Sequence, residues 1–152
     1  MMAEPIKFYA TGDKYGEFSN FAAYPIQLNG KAWPTSEHYF QAMKFVGEPD
    51  EEELRQAKSP MIVARLGRDR KRPLRPDWDV VKDDVMRAAV LAKFTQYVDL
   101  RELLLGTGEV PLIEHTTNDS YWGDGGDGGG KNMLGQILME VRAKLRVDSP
   151  ST

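Results

Sequence analysis

Residues 25–46 read PIQLNGKAWPTSEHYFQAMKFV. Two kinds of local order meet in this stretch. Asn29-Gly30 lies between apolar residues, and the favoured two-residue hairpin turn needs positive φ at both central positions. Pro25–Trp33 is therefore expected to be a β-hairpin. Thr35 follows Pro34 and suits an N-cap, so Ser36–Val46 is predicted to be helical. A hairpin that feeds straight into a helix sets the class as α+β.

The flanking sequence extends this pattern. Ile6–Tyr9 could form a strand. Ser59-Pro60 looks like a second cap with proline at the first helical position, and Gly67 stops the run Met61–Leu66. After Pro73 and Pro76 comes a longer helix over about Asp79–Tyr97, with Val81, Val85, Met86, Ala89 and Phe94 in its buried stripe. Leu100–Leu105 ends at Gly106, and Val110–Glu114 reads as a strand. Met133–Leu145 is an amphipathic helix with Leu134, Ile137, Leu138, Val141 and Leu145 inward. There is no repeat and no interdomain linker. The expectation is a compact single α+β domain over residues 6–146, mostly helical with a small β-sheet, and a frayed tail at 147–152 that includes Pro150.

The chain has 152 residues, 41% of them hydrophobic, enough for one real core. No apolar run approaches the ~18 residues of a membrane span. The start, MMAEPIKF, lacks the basic region and apolar stretch of a signal peptide. Cysteine is absent, which excludes disulfides, thiolate nucleophiles and cysteine-bound metal, and fits a cytoplasmic protein. The net charge of −3 argues against non-specific coating of nucleic acid. Charge is uneven, however. Asp50–Glu53 is acidic, whereas Arg65, Arg68, Arg70, Lys71, Arg72 and Arg75 oppose only Asp69, a local balance of +5. Such a segment either attracts a small anion such as phosphate or is simply a solvated surface.

On the first helix, Tyr39, Ala42, Met43 and Val46 share one side. Glu37, Gln41 and Lys44 share the other, flanked by Phe40 and Phe45. An ordinary amphipathic helix would turn that polar stripe to water; in a pocket the two phenylalanines would become walls. Glu37 lies in the first turn, where the helix dipole favours its ionised form. A carboxylate held in that state suits stabilisation of a ribosyl oxocarbenium ion or activation of water.

Residues 121–132, YWGDGGDGGGKN, hold six glycines in twelve positions between a strand and a helix. Glycine admits positive φ and a close approach to the main chain, here assigned to a ligand at Gly123 and Gly126. The run matches neither the P-loop nor the dinucleotide fingerprint. Asp124 and Asp127 lack EF-hand spacing, so no metal is expected. Trp122 is either core or a stacking platform for a heterocycle. Asp119 and Asp124 are candidates for a second catalytic carboxyl group, or turn formers. In YGEFSNF (residues 15–21), Phe18, Ser19 and Asn20 form either an edge that holds a ring or a core-packing loop. His38 and His115 are read as structural.

Three stretches carry a resemblance: YGEFSNFAAYPIQLNGKAWPTSEHYFQAMKF, SPMIVARLGRDRKRPLRPDWDVVKDDVM and LIEHTTNDSYWGDGGDGGGKNMLG. In this order they resemble the YbiA-like, or NADAR, family, from about Phe8 to Leu145. The resemblance implies a compact α+β fold and an N-glycosidase acting on N-ribosylated heterocycles. No cofactor is expected. Members of the most similar type hydrolyse phosphoribosylamino-pyrimidine intermediates of riboflavin synthesis; others remove ADP-ribose from guanine bases. The matching positions are Glu37, Lys44, Asp119, Trp122, Asp124 and Asn132. Met133 departs from the arginine common in relatives, and Asp127 stands in a variable part of the loop.

Together these readings give an expected site. The heterocycle stacks on Trp122 with Phe18 and Trp33 nearby, and Asn20 hydrogen-bonds it. Arg68 or loop N–H groups meet a 5′-phosphate. Glu37 stabilises the cation or activates water, and Asp119 or Asp124 orients water or protonates the leaving nitrogen. Lys44 could instead form a transient Schiff base. The expected partner is a small phosphorylated ribosyl heterocycle. The alternatives are ADP-ribosylated guanine in nucleic acid, or a non-catalytic module that binds ADP-ribose or a nucleotide.

Overall fold

In the computed structural model, which describes residues 4–148, Asn29 and Gly30 both take positive φ, 55° and 76°. That turn joins β2 (Ile26–Leu28) to β3 (Lys31–Trp33), antiparallel, with Ile26 opposite Trp33. Both of those side chains are fully buried. Thr35 is extended, and its hydroxyl accepts the His38 N–H at 3.2 Å, capping α1 (Ser36–Ala42). The helix tightens into a 3-10 turn over Met43–Phe45, and Gly47, at φ 85°, ends it. Val46, grouped with Tyr39, Ala42 and Met43 on one side of the expected helix, lies beyond that turn and is exposed, whereas the other three are buried.

Next come α2 (Pro49–Arg55) and α3 (Pro60–Gly67). Helix α2 is not among the expected elements, since Asp50–Glu53 is noted in the sequence only as an acidic run. Those same acids, placed directly after Pro49, favour the positive end of a helix. Ser59 Oγ accepts the Ile62 N–H at 3.1 Å and caps α3. Helix α1 packs on both α2 and α3. The long helix α4 (Trp78–Gln96) buries Met86, Ala89 and Val90, with Val81 and Val85 half-buried.

By their internal contacts, residues 20–93 form one compact unit. Residues up to Ser19 and from Phe94 onward form the other. In this second unit β1 (Ile6–Phe8) pairs in parallel with β4 (Leu112–Glu114), Ile6 opposite Leu112. Helix α5 (Val98–Gly106) precedes β4, and α6 (Met133–Asp148) packs on both. The five inward residues expected on α6 are all buried. Val147 and Asp148 belong to α6, and residues 149–152 lie outside the described residues. The fold is α+β and mostly helical, and among the described residues its small sheet content is two separate two-stranded ladders. Among the described residues no helix is long and apolar enough to cross a membrane.

Candidate functional site

In the unit formed by residues 20–93, the polar stripe of α1 faces protein rather than water. Glu37 is 9% exposed and Gln41 6%. Gln41 Nε2 donates to Glu37 Oε2 at 2.8 Å. One turn further, Lys44 Nζ donates to the Gly67 carbonyl at 3.1 Å and stands 5.9 Å from the centre of the Trp78 ring. Burial lowers the Lys44 pKa. The Glu37 charge opposes that shift, and Arg68 and Lys82 add to it.

Lys44, Phe45, Gly67, Arg68, Leu74 and Trp78 line much of a cavity of about 490 Å³. Trp78 is a wall residue that the sequence reading did not single out. It is buried and tilted against Phe40 at 5.1 Å. Its only local signal was its place at the start of a long helix, directly behind the basic run.

The basic run is less free than its charge suggested. Arg72 makes a two-pronged pair with Glu53 (2.8 and 2.9 Å) and reaches Asp50 at 2.9 Å; Arg75 pairs with Asp77 at 2.7 Å. The acidic run of α2 and the basic run thus neutralise each other in part. Arg68 and Arg70 line the cavity and make no ion pair among the described residues.

Three expected ligand contacts are placed elsewhere. Trp33 is 0% exposed, packs edge-on against Tyr39 at 5.2 Å, and donates its Nε1–H to the Leu28 carbonyl. Phe18 is 1% exposed, enclosed by Phe8, Tyr15 and Phe94 in the other unit. Neither ring has a face for a ligand. Asn20 is also buried. Its Oδ1 accepts from Ser36 Oγ at 2.8 Å, its amide donates to Met86 Sδ, and its carbonyl accepts the Glu37 N–H at 3.2 Å. It therefore anchors the start of α1 rather than a heterocycle.

The glycine loop belongs to the unit of the parallel strand pair. Something does approach its main chain closely, but that something is the loop's own surroundings. A Cβ at Gly123 would lie 2.7 Å from Thr116 Cγ2 and 2.9 Å from the Glu114 and Asp119 carbonyls. At Gly126 it would overlap Thr117, and at Gly130 it would lie 2.6 Å from the Gly123 carbonyl oxygen. Backbone hydrogen bonds then knit the loop together, among them Asp124 N–H to Glu114 O and Asn132 N–H to Gly123 O, both 2.9 Å. The space assigned to a ligand at Gly123 and Gly126 is filled by the chain itself.

Asp124 sits inside this knot, 3% exposed. Its Oδ1 accepts from the Thr116 and Gly126 N–H groups at 3.1 and 2.8 Å, and its Oδ2 from His115 Nδ1 at 2.7 Å. Burial pushes its pKa up, but the His115 ring and the two N–H groups outweigh that and bring it down to about 2. Such a carboxyl group has no proton to give at neutral pH, so the acid role considered for it does not fit. Asp119 Oδ1 accepts from the Tyr121 and Trp122 N–H groups, both at 2.9 Å, which makes it a turn former. Asn132, at φ 53°, spends its amide on β4, accepting from Glu114 N and donating to Leu112 O, both at 2.9 Å. Trp122, half-buried, stands edge-on to Tyr121 at 4.9 Å. Among the described residues no group of three His, Asp or Glu side chains could hold a metal ion.

A sequence profile of the NADAR domain matches residues 7–146. The chain belongs to the NADAR family. N-glycosidase YbiA of Escherichia coli is 59% identical over 143 residues, covering 94% of this chain and 89% of that protein. An N-glycosidase of Nostoc punctiforme is 46% identical over 144 residues, covering 93% and 92%. A riboflavin biosynthesis protein of Vibrio vulnificus is 41% identical over 150 residues, covering 99% of this chain and 41% of that one. The NMR structure of E. coli YbiA superposes with a TM-score of 0.90 at 58% identity, over 97% of this chain and 88% of that one. The NADAR resemblance read from the three sequence stretches is thus established for nearly the whole chain.

Proposed function

We propose that this NADAR chain is an N-glycosidase whose substrate is a phosphoribosylamino-pyrimidine of the riboflavin pathway, and that it releases ribose 5-phosphate. The hydrolase class follows from family membership and its N-glycosidase relatives. One observation carries the substrate reading. The cavity joins cationic groups, Lys44 and Arg68, to an aromatic wall, Trp78, and adjoins the buried carboxylate of Glu37 through Gln41 and Gly67. Arg68 is assigned to the 5′-phosphate.

In the reaction the bond from C1 of the ribose to the ring's exocyclic nitrogen breaks, and positive charge develops on the sugar. The Glu37 carboxylate stabilises that charge. Water supplies the oxygen that bonds to C1, and its protons divide between the new hydroxyl and the leaving amine. Lys44 supports a second route, because its lowered pKa and its place on the cavity wall suit a nucleophilic amine. Its neutral Nζ would displace the leaving amine at C1, which takes the proton that the lysine nitrogen gives up; opening of the ribose ring turns the lysine glycosylamine into an imine, and water then releases the sugar and frees the lysine.

The test is chromatography of ribose 5-phosphate released from the pyrimidine intermediates, run beside ADP-ribosylated guanine DNA. Glu37→Gln should lower turnover by about 10²- to 10⁴-fold with the fold intact. Undiminished turnover in folded Glu37→Gln protein contradicts the assignment. Faster release from the DNA transfers the substrate reading to ADP-ribose, and binding without release on any substrate removes the catalytic reading.

A further inference from the structure

We infer that Gln41 is a positioning residue for Glu37, and that position 67 is glycine so that the Gln41 amide can reach it. The inference rests on the reading of Glu37 as the working carboxylate. Gln41 lies one turn after Glu37 on α1, with its amide Nε2 2.8 Å from Glu37 Oε2. The other half of that amide is idle. Gln41 Oε1 is buried and has no hydrogen bond among the described residues.

A buried polar atom left without a partner is costly. An apolar side chain of the same length would fill this space without that cost. Stability alone therefore does not account for glutamine here, whereas the N–H it gives the carboxylate does. A neutral donor also has a property that arginine or lysine lacks: it fixes the plane of a carboxylate without neutralising its charge.

Gly67 completes the device from the end of α3. A Cβ there would overlap Gln41 Oε1 and lie 2.7 Å from Cδ and 3.1 Å from Cβ of Gln41. The clash falls on the tip of one side chain rather than on backbone. Gly67→Ala should therefore push the amide off Glu37 while sparing the helices. Position 67 also lines the cavity, so the same glycine that admits the amide borders the substrate space.

The experiment compares kcat, KM and melting temperature for Gln41→Met, Gly67→Ala, Glu37→Gln and the Gln41→Met/Glu37→Gln double variant, on whichever substrate gives release. Gln41→Met should lower kcat by about 10- to 100-fold, the range for a hydrogen bond to a charged group, with KM within about twofold. Gly67→Ala should move kcat in the same direction. The double variant should match Glu37→Gln, because the two residues act as one unit. Full kcat in folded Gln41→Met protein, with Glu37→Gln impaired, overturns the positioning role and leaves the function reading standing. Full turnover in Glu37→Gln removes the reading beneath it. Independent, multiplying losses in the double variant, or loss of folding in both Gln41→Met and Gly67→Ala, would make Gln41 structural and overturn the inference.

Discussion

Replacing Asp124 tests whether its carboxylate builds the loop or does chemistry. In Asp124→Ala, the Thr116 and Gly126 N–H groups lose their acceptor. Thr116 is buried, so its donor has no ready water; Gly126 is half-buried and can find one. An unmet buried donor costs about 1–3 kcal/mol, which puts the loss near 2–3 kcal/mol. Asp124→Asn keeps the Oδ1 acceptor but loses the charge and the Oδ2 acceptor that faces His115 Nδ1. The fall in pKa from 3.8 to about 2 would convert to roughly 2.4 kcal/mol, but the exposed His115 side is screened by water, leaving about 1–2 kcal/mol. For a chain of this size the melting temperature should drop by roughly 4–12 °C and 2–8 °C respectively. The folded pKa lies below the unfolded one. The stabilisation is therefore complete above about pH 4 and disappears as pH falls toward 2, so wild type and Asp124→Asn should converge on acidification. Amide exchange followed by NMR locates the effect, with protection lost first at residues 116 and 126. An unchanged melt and unchanged protection, together with a collapse in turnover, would refute the loop-building role and return Asp124 to the chemistry.

Two further outcomes follow from the other unit. Borohydride added during turnover should leave a sugar-sized mass increase on Lys44 if the imine route operates, and Lys44→Met should abolish it; no adduct during active turnover assigns the reaction to Glu37 and water. Arg72→Ala should lower the melting temperature by a few degrees by releasing Asp50 and Glu53, and the difference should shrink in 1 M salt. An effect that is independent of salt would point to packing instead.

What could be read from the sequence was whatever local chemistry alone decides. Asn29-Gly30, the Thr35 and Ser59 caps and the stripe of α6 depend on near neighbours, and each element formed where expected. Aromatic identity, by contrast, does not encode burial. Phe18 and Trp33 look like stacking platforms until the residues around them are placed. The glycine run signalled a close approach but could not name the approaching atoms, which come from residues 114–120 and from the loop itself at Gly123 and Asp124. The pairing of Arg72 with Asp50 and Glu53 spans about twenty residues, so nothing local in either charge run points to the other. Of the candidate site, the sequence shows the polar stripe on α1; the cavity needs Gly67 and Trp78, which share no local motif with Glu37.

The three tryptophans fall in three different environments. Trp33 is sealed behind the hairpin, Trp78 borders the cavity beside an ammonium group, and Trp122 is half-open at the head of the glycine loop. Their fluorescence therefore carries separable information. Quenching of Trp78 would report an occupied cavity, a red shift from Trp33 the melting of residues 20–93, and a change at Trp122 the loosening of the loop. Single-tryptophan variants would let one cuvette distinguish ligand capture from the unfolding of either unit.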